Sequence, residues 1–267
     1  MKNKSIDKEI ASLERAEKRF LNKYKEKKDT KLDQILAEKI PDKLEETLDM
    51  AFSKAFRFIF SKGTALIEKT YPRKKIGDRF DSDSQKLRVN ARRKDLKRFN
   101  YRAGGAGMAH TIASTVAGTA MGIAGVGIPD VAVFTSLLLR NIYEISMRYG
   151  YEFEGEQEQK FILRIIAASL KYGDEIVRGN KEINTLIEIG LNYDDKTVDE
   201  LIDEAAIALS RALLYMKFLQ GIPIVGAVGG ASDFIYMDRI GDYALLKYRR
   251  RFLMDQNIEL NFTQPTK

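Results

Sequence analysis

Asp238 and Asp242 stand four residues apart in FIYMDRIGDYALLKYRRRFL. On a helix that spacing puts two carboxylates on one face, where they could hold a divalent cation through oxygen ligands. A helical enzyme built on such a pair needs a second acidic cluster facing the first. The adjacent acids in a loop-like setting are Asp194 and Asp195, and their context places them in a turn before a helix cap at Thr197. Asp238 also has Arg239 and Lys247 near it in sequence, so Asp238 and Asp242 are kept as metal candidates without a metal being expected. His110 is the single histidine and there is no cysteine. That combination excludes histidine-pair and thiolate metal sites and cysteine nucleophiles. Set among Gly and Ala, His110 reads as a polar side chain satisfied inside a packed hairpin, with a lone acid–base role as the alternative. No catalytic residue and no cofactor is expected.

A second stretch invites a chemical reading. GTAMGIAGVGIPD, residues 118–130, carries Gly118, Gly122, Gly125 and Gly127. A phosphate loop of the G-x-x-x-x-G-K-[ST] kind needs a lysine, and none lies between Arg102 and Arg140. Gly122, Gly125 and Gly127 give G-x-x-G-x-G, the reverse of a dinucleotide fingerprint. The run from Ala103 to Pro129 has no charged residue and is long enough to cross a bilayer, yet Gly, Ala, Ser and Thr dominate it and supply little insertion energy. Gly118 and Gly122 form G-x-x-x-G, which lets a neighbouring helix approach to backbone contact. A related run, QGIPIVGAVGGASDF, holds Gly226, Gly229 and Gly230 and also ends on an acid. Both are read as helical hairpins that pack closely or touch membrane. Asp130 and Asp233 are expected to start the helices that follow them.

The elements around these runs have helical spacing. Ile6, Ile10, Leu13, Phe20 and Leu21 fall at threes, fours and sevens, and Asp29 and Thr30 break the pattern. A second segment starts near Thr30. A third follows Pro41, with Leu44, Leu48, Phe52, Phe56 and Ile59 as its apolar stripe. Residues 71–100 are poor in apolar residues and rich in charge, and read as a long connection with a short helix from Ser84. VAVFTSLLLRNIYEISMRYG forms a helix stopped by Gly150, with Arg140 and Glu144 at ion-pair spacing or partnered from another helix. EFEGEQEQKFILRIIAASLKYG ends at Gly173, and residues 174–190 read as one or two short helices. Thr197 and Glu200 have capping-box spacing ahead of a helix from Val198 to about Leu219. Nothing asks for a sheet, so the fold class is all-α: a multi-helix bundle with two Gly/Ala-rich hairpins and an N-terminal amphipathic extension.

Charge is unevenly spread. Residues 1–100 carry 28 Lys+Arg against 17 Asp+Glu, net +11, which leaves −4 for residues 101–267 out of the total of +7. A basic arm on a nearly neutral body fits an anionic partner, or it is a solvated helical surface with no partner at all. KKIGDR and ARRKDLKR with interleaved Tyr71, Phe80, Phe99 and Tyr101 raise nucleic acid as a partner. No helix-turn-helix, aromatic-bearing sheet or zinc finger accompanies them, so nucleic acid is not expected. The N-terminus alternates charges where a signal peptide needs an apolar core, so export is not expected.

The ordered blocks GVGIPDVAVFTSLLLRNIYEISMRYGYEF, KFILRIIAASL and IPIVGAVGGASDFIYMDRIGDYALLKYRRRFL resemble the EcsC family of bacterial proteins. The resemblance covers roughly residues 100–255 and leaves out the first 70; where Asp233 sits, it leads one to expect a neutral residue, often asparagine. It implies a largely helical protein linked by gene association to transport and secretion, and it carries over no catalytic residue. The expected organisation is a basic helical region over 1–70, a charged linker over 71–100, the EcsC-like helical domain over 101–257 and a flexible tail over 258–267. The expected function is that of a non-enzymatic protein in the cytoplasm, peripheral at the inner face of the membrane, meeting an anionic membrane surface or a membrane protein. The alternative is a soluble helical enzyme or lipid-binding domain with an acidic, metal-dependent pocket.

Overall fold

The computed structural model of the chain describes residues 2–25, 42–62, 72–89, 92–104, 129–219 and 231–262. Within them nine α-helices and one 3-10 turn follow one another, with no strand. The fold is the all-α multi-helix bundle that the spacing calls for. The helices are α1 (Lys2–Lys25), α2 (Asp42–Lys62), α3 (Arg73–Val89), α4 (Arg93–Ala103), α5 (Pro129–Arg148), α6 (Glu156–Ser169), α7 (Gly173–Ile189), α8 (Val198–Leu219) and α9 (Ala231–Phe262). The 3-10 turn is Leu191–Tyr193.

Helix α5 is buried on nearly every side, because its apolar residues run all round it and not in a stripe. It packs against α2, α3 and α9. Helix α8 lies along α2 and α6, while α9 takes α1, α6 and α7 on its other faces. The stripe of α2 behaves as its spacing requires: Phe52, Phe56 and Ile59 are in the core. Thr197 and Glu200 close a capping box, the Glu200 carboxylate accepting from Thr197 N–H at 2.8 Å and Thr197 Oγ1 accepting from Glu200 N–H at 3.2 Å.

Gly150 ends α5 in a Schellman motif. Its own N–H reaches Met147 O at 3.0 Å and the next N–H, of Tyr151, reaches Ser146 O at 3.0 Å. This needs φ of +84°, and a Cβ there would stand 2.1 Å from the ring of Phe80. Glycine is thus demanded twice, by backbone and by the packing of α3 on α5.

Two expectations need correcting. Residues 71–100 are not a connection with a short helix but carry α3 and α4. Both are strongly charged, yet Ile76 and Leu87 on α3 and Leu96, Phe99 and Ala103 on α4 are buried. A helix lying on the outside of a bundle needs only that narrow stripe. The other is that α9 continues to Phe262, into the stretch read as a flexible tail. Of the two readings of residues 174–190, the structure has the single helix, over 173–189. The segment expected to start near Thr30 lies outside the described residues.

Candidate functional site

A seam of buried charge holds the bundle's edge together. The inward stripe of α1 is Ile6, Glu9, Leu13, Glu17 and Phe20, all at threes and fours and all buried. Opposite it, α9 presents Tyr243, Lys247, Arg249 and Arg250. Glu17 Oε1 accepts from Lys247 Nζ at 2.8 Å and Glu17 Oε2 from Arg250 Nη2 at 2.6 Å. Asn180 and Asn184 of α7 complete the Lys247 shell at 2.5 and 2.7 Å. Glu9 accepts from Arg249 at 2.9 Å and lies 3.6 Å from Arg93 of α4. A third buried acid, Glu158 on α6, accepts from Arg251 and from the Tyr248 hydroxyl, each at 2.6 Å.

The electrostatics follow from that geometry. Burial works to raise the Glu17 carboxyl, but Arg250 and Lys247 outweigh it and hold it below the ordinary carboxylate range. Burial brings Lys247 down to about 8 despite Glu17 beside it. Each acid is matched to cations: Glu9 and Glu17 fasten α1 to α9, and Glu158 fastens α6 to it.

Outside this seam sits the basic helix α4. Its inner face is anchored by Phe99, stacked on Phe252 at 4.5 Å and edge-on to Tyr149 at 5.8 Å. Arg102 at its end is paired with Asp83 of α3 at 2.9 Å. Turned outward are Lys94, Lys97, Arg98 and Tyr101, spaced as i, i+3, i+4 and i+7, all exposed, with Tyr101 83% accessible. Among the described residues no acid pairs with these three cations. The outer face of α3 adds exposed Lys74, Lys75 and Arg79.

The residues singled out from sequence fall differently. Gly118, Gly122, Gly125, Gly127, Gly226, Gly229, Gly230 and His110 lie outside the described residues. Asp130 and Asp233 fall in the first turns of α5 and α9. Arg140 and Glu144 stand 3.4 Å apart on α5, nearly buried, and Arg148 joins Glu144 at 3.2 Å. Asp238 is half-buried and Asp242 exposed on the second and third turns of α9. Both carboxyls titrate above the ordinary range, Asp238 through burial and Asp242, although exposed over much of its surface, through partial loss of water around its carboxyl and then through Asp238 itself. Asp194 is bound to Arg164 and accepts from Lys196 N–H at 3.1 Å, which removes it from any metal pair. Among the described residues no group of three or more His, Asp or Glu converges. An open groove of about 420 Å³ between α2 and α8 is lined by Asp49, Ser53, Arg57 and Asp203. Its acids are already engaged, Asp203 by Ser53 and Arg57 and Asp49 by Ser210.

Sequence reading missed the buried glutamates. The available signal was that Glu9 and Glu17 share the helical register of Ile6, Leu13 and Phe20, while KYRRR at 247–251 crowds cations onto an otherwise apolar helix. Such a cluster demands acids from elsewhere in the fold.

No curated protein and no solved structure matches the chain. The model of the EcsC protein family matches residues 4–253. That span takes in α1 and α2, which the resemblance of the ordered blocks leaves out, and α1 is joined to the rest by Glu9 and Glu17. Because the match covers nearly the whole length, the chain belongs to the EcsC protein family.

Proposed function

We propose that this is a non-enzymatic helical protein that docks peripherally on an anionic membrane surface through the outer face of α4, in support of transport, secretion or envelope processes. The observation that carries the reading is the stripe of Lys94, Lys97, Arg98 and Tyr101, exposed on one side of a helix whose other side is anchored in the core. Each cation near an anionic leaflet contributes about 1 kcal/mol, and an amphipathic aromatic such as Tyr101 suits the headgroup level. In sequence α4 runs directly into the uncharged stretch that begins at Ala103. The net +11 of residues 1–100 against −4 for the rest orients the molecule with this side toward negative charge. Among the described residues no helix is long and apolar enough to cross a membrane, which accords with docking by a surface.

Flotation with phosphatidylglycerol and with phosphatidylcholine vesicles, at low and high salt, tests the proposal. The protein is expected to float with the anionic vesicles at low salt and to be released by high salt. Lys94→Gln/Lys97→Gln/Arg98→Gln is expected to weaken partitioning about a hundredfold, from roughly 1 kcal/mol per cation. Failure to float under every condition, or a triple variant that floats as well as the parent, would overturn it.

A further inference from the structure

Among the described residues, no carboxylate pairs with the buried cation Arg239. It is 2% exposed, and it lies where the C-terminal end of α1, the turn between α6 and α7, and α9 meet. Its guanidinium carbon stands 3.8 Å from the ring centroid of Tyr24 and 4.3 Å from that of Tyr172, so two tyrosine faces bracket it. Nη2 donates to Lys171 O at 2.5 Å. Tyr172 also acts as a hydrogen-bond partner of the guanidinium, while among the described residues Nε and Nη1 are buried and make no well-formed hydrogen bond.

Every other nearly buried cation on α9 is answered by an acid. Lys247 and Arg250 have Glu17, Arg249 has Glu9 and Arg251 has Glu158. Arg239 has tyrosines and one carbonyl. Its nearest acids in sequence, Asp238 and Asp242, do not serve it: a carboxylate paired with a guanidinium is held below the ordinary range, and burial keeps both of these above it. Burial also lowers Arg239 itself, opposed by the phenols of Tyr172, Tyr24 and Tyr236 and by a hydrogen bond with Tyr172, none of which carries a full negative charge at neutral pH. A buried guanidinium with two unmet donors is costly unless an anion completes it. The bracketing rings fix the plane of the fork, which removes the ordering cost of binding a planar or tetrahedral oxyanion. Tyr24 and Tyr172 are themselves only partly buried, and the exposed Lys23 stands 5.2 Å from the Tyr24 ring centroid, adding positive charge beside the site.

We propose that Arg239, bracketed by Tyr24 and Tyr172, is the receptor of a binding site for an oxyanion, a carboxylate or phosphate group, with Nε and Nη1 as its donors. The site is distinct from the outer face of α4 and does not rest on the membrane reading.

The test uses the full chain and three probes: sodium phosphate, sodium acetate, each against chloride at matched ionic strength, and phosphatidic acid vesicles. The Arg239 Nε–Hε resonance is followed by nitrogen–proton NMR, with thermal unfolding of the parent, Arg239→Lys and Tyr172→Leu alongside. A saturable shift of that resonance with phosphate or acetate, and a binding constant weakened about tenfold or more in Arg239→Lys, is the expected result, since lysine cannot reproduce the planar fork. A shift with vesicles alone would assign the oxyanion to a lipid headgroup and would still support the site. No shift with any probe, or equal stabilisation of parent and Arg239→Lys, would overturn it. Should the substituted chains fail to fold, the titration of the parent decides by itself. Vesicle flotation that depends on Lys94, Lys97 and Arg98 but not on Arg239 separates the two proposals.

Discussion

Glu17 and Arg250, 233 residues apart, share a hydrogen-bonded ion pair of 2.6 Å in which both side chains are less than a tenth exposed. Lys247 adds a second contact to the same carboxylate at 2.8 Å. This relationship ties the first helix of the chain to the last. Helix α1 carries few apolar residues for its length, so its docking rests on two glutamates in an otherwise apolar stripe.

Removing Glu17 therefore leaves buried Lys247 without its carboxylate and Arg250 with only the exposed Glu188, 3.8 Å away. Glu17→Ala is expected to lower unfolding free energy by about 3–5 kcal/mol, the usual cost of breaking a buried pair from one side. Arg57→Ala breaks a pair whose members, Arg57 and Asp199, are 44% and 75% exposed, and is expected to cost no more than about 1 kcal/mol. Urea unfolding of both variants checks the contrast.

Acid sensitivity follows from the same carboxylate. The folded Glu17 titrates below its ordinary value of 4.5, so its contribution is fully present above that pH and is lost as pH falls through the lower folded value. The stability of the parent is expected to drop more steeply below pH 4.5 than that of Glu17→Gln, measured by urea midpoints across a pH range of about 2–6.

Lys247 gives the opposite signature on the alkaline side. Its folded value is about 8 against 10.5 unfolded, so between these the native state has released a proton that the unfolded chain still holds. Through this group stability rises with pH over that window, by at most about 1.4 kcal/mol per pH unit. The slope should be smaller in Lys247→Met. Glu17→Gln should move the Lys247 Nζ titration, followed by NMR, below about 8, because the carboxylate is what opposes burial there.

Gly150→Ala is expected to be strongly destabilising, by about 2 kcal/mol or more, because it combines a φ of +84° with a clash at 2.1 Å from Phe80. Gly155→Ala serves as the control, since nothing lies within 4 Å of a Cβ built there. Thermal unfolding of the two variants reads the difference.

Asp238→Asn and Asp242→Asn are expected to leave stability unchanged or slightly raised near neutral pH. Both folded carboxyls titrate above their ordinary value of 3.8, so their ionised forms are disfavoured by the fold, and the amide removes that penalty. Calorimetry in magnesium and in chelator should show no metal-dependent shift in the parent or in either variant.

Much of this arrangement is legible in the order of the residues. The stripe of α2, the capping box at Thr197 and the stop at Gly150 each depend on residues within a few positions of one another, and local spacing encodes them directly. Helices α3 and α4 are harder to read, since average polarity conceals stripes as narrow as Leu96, Phe99 and Ala103. The outward cations of α4 are visible as a basic run, but their common face depends on α4 being a helix.

By itself the sequence determined the all-α class, most helix boundaries and the excess of positive charge in the first hundred residues, because periodicity and composition are local properties of the chain. Only the tertiary structure decided which charges are inside and which are free. Glu9 and Glu17 look like solvated helix residues until α9 is laid against them. Arg239 and Arg250, eleven positions apart on one helix, differ solely in what the fold brings to them: an acid for one, and two tyrosine faces for the other. Burial and pairing are relations between distant segments, and no spacing within α9 encodes them.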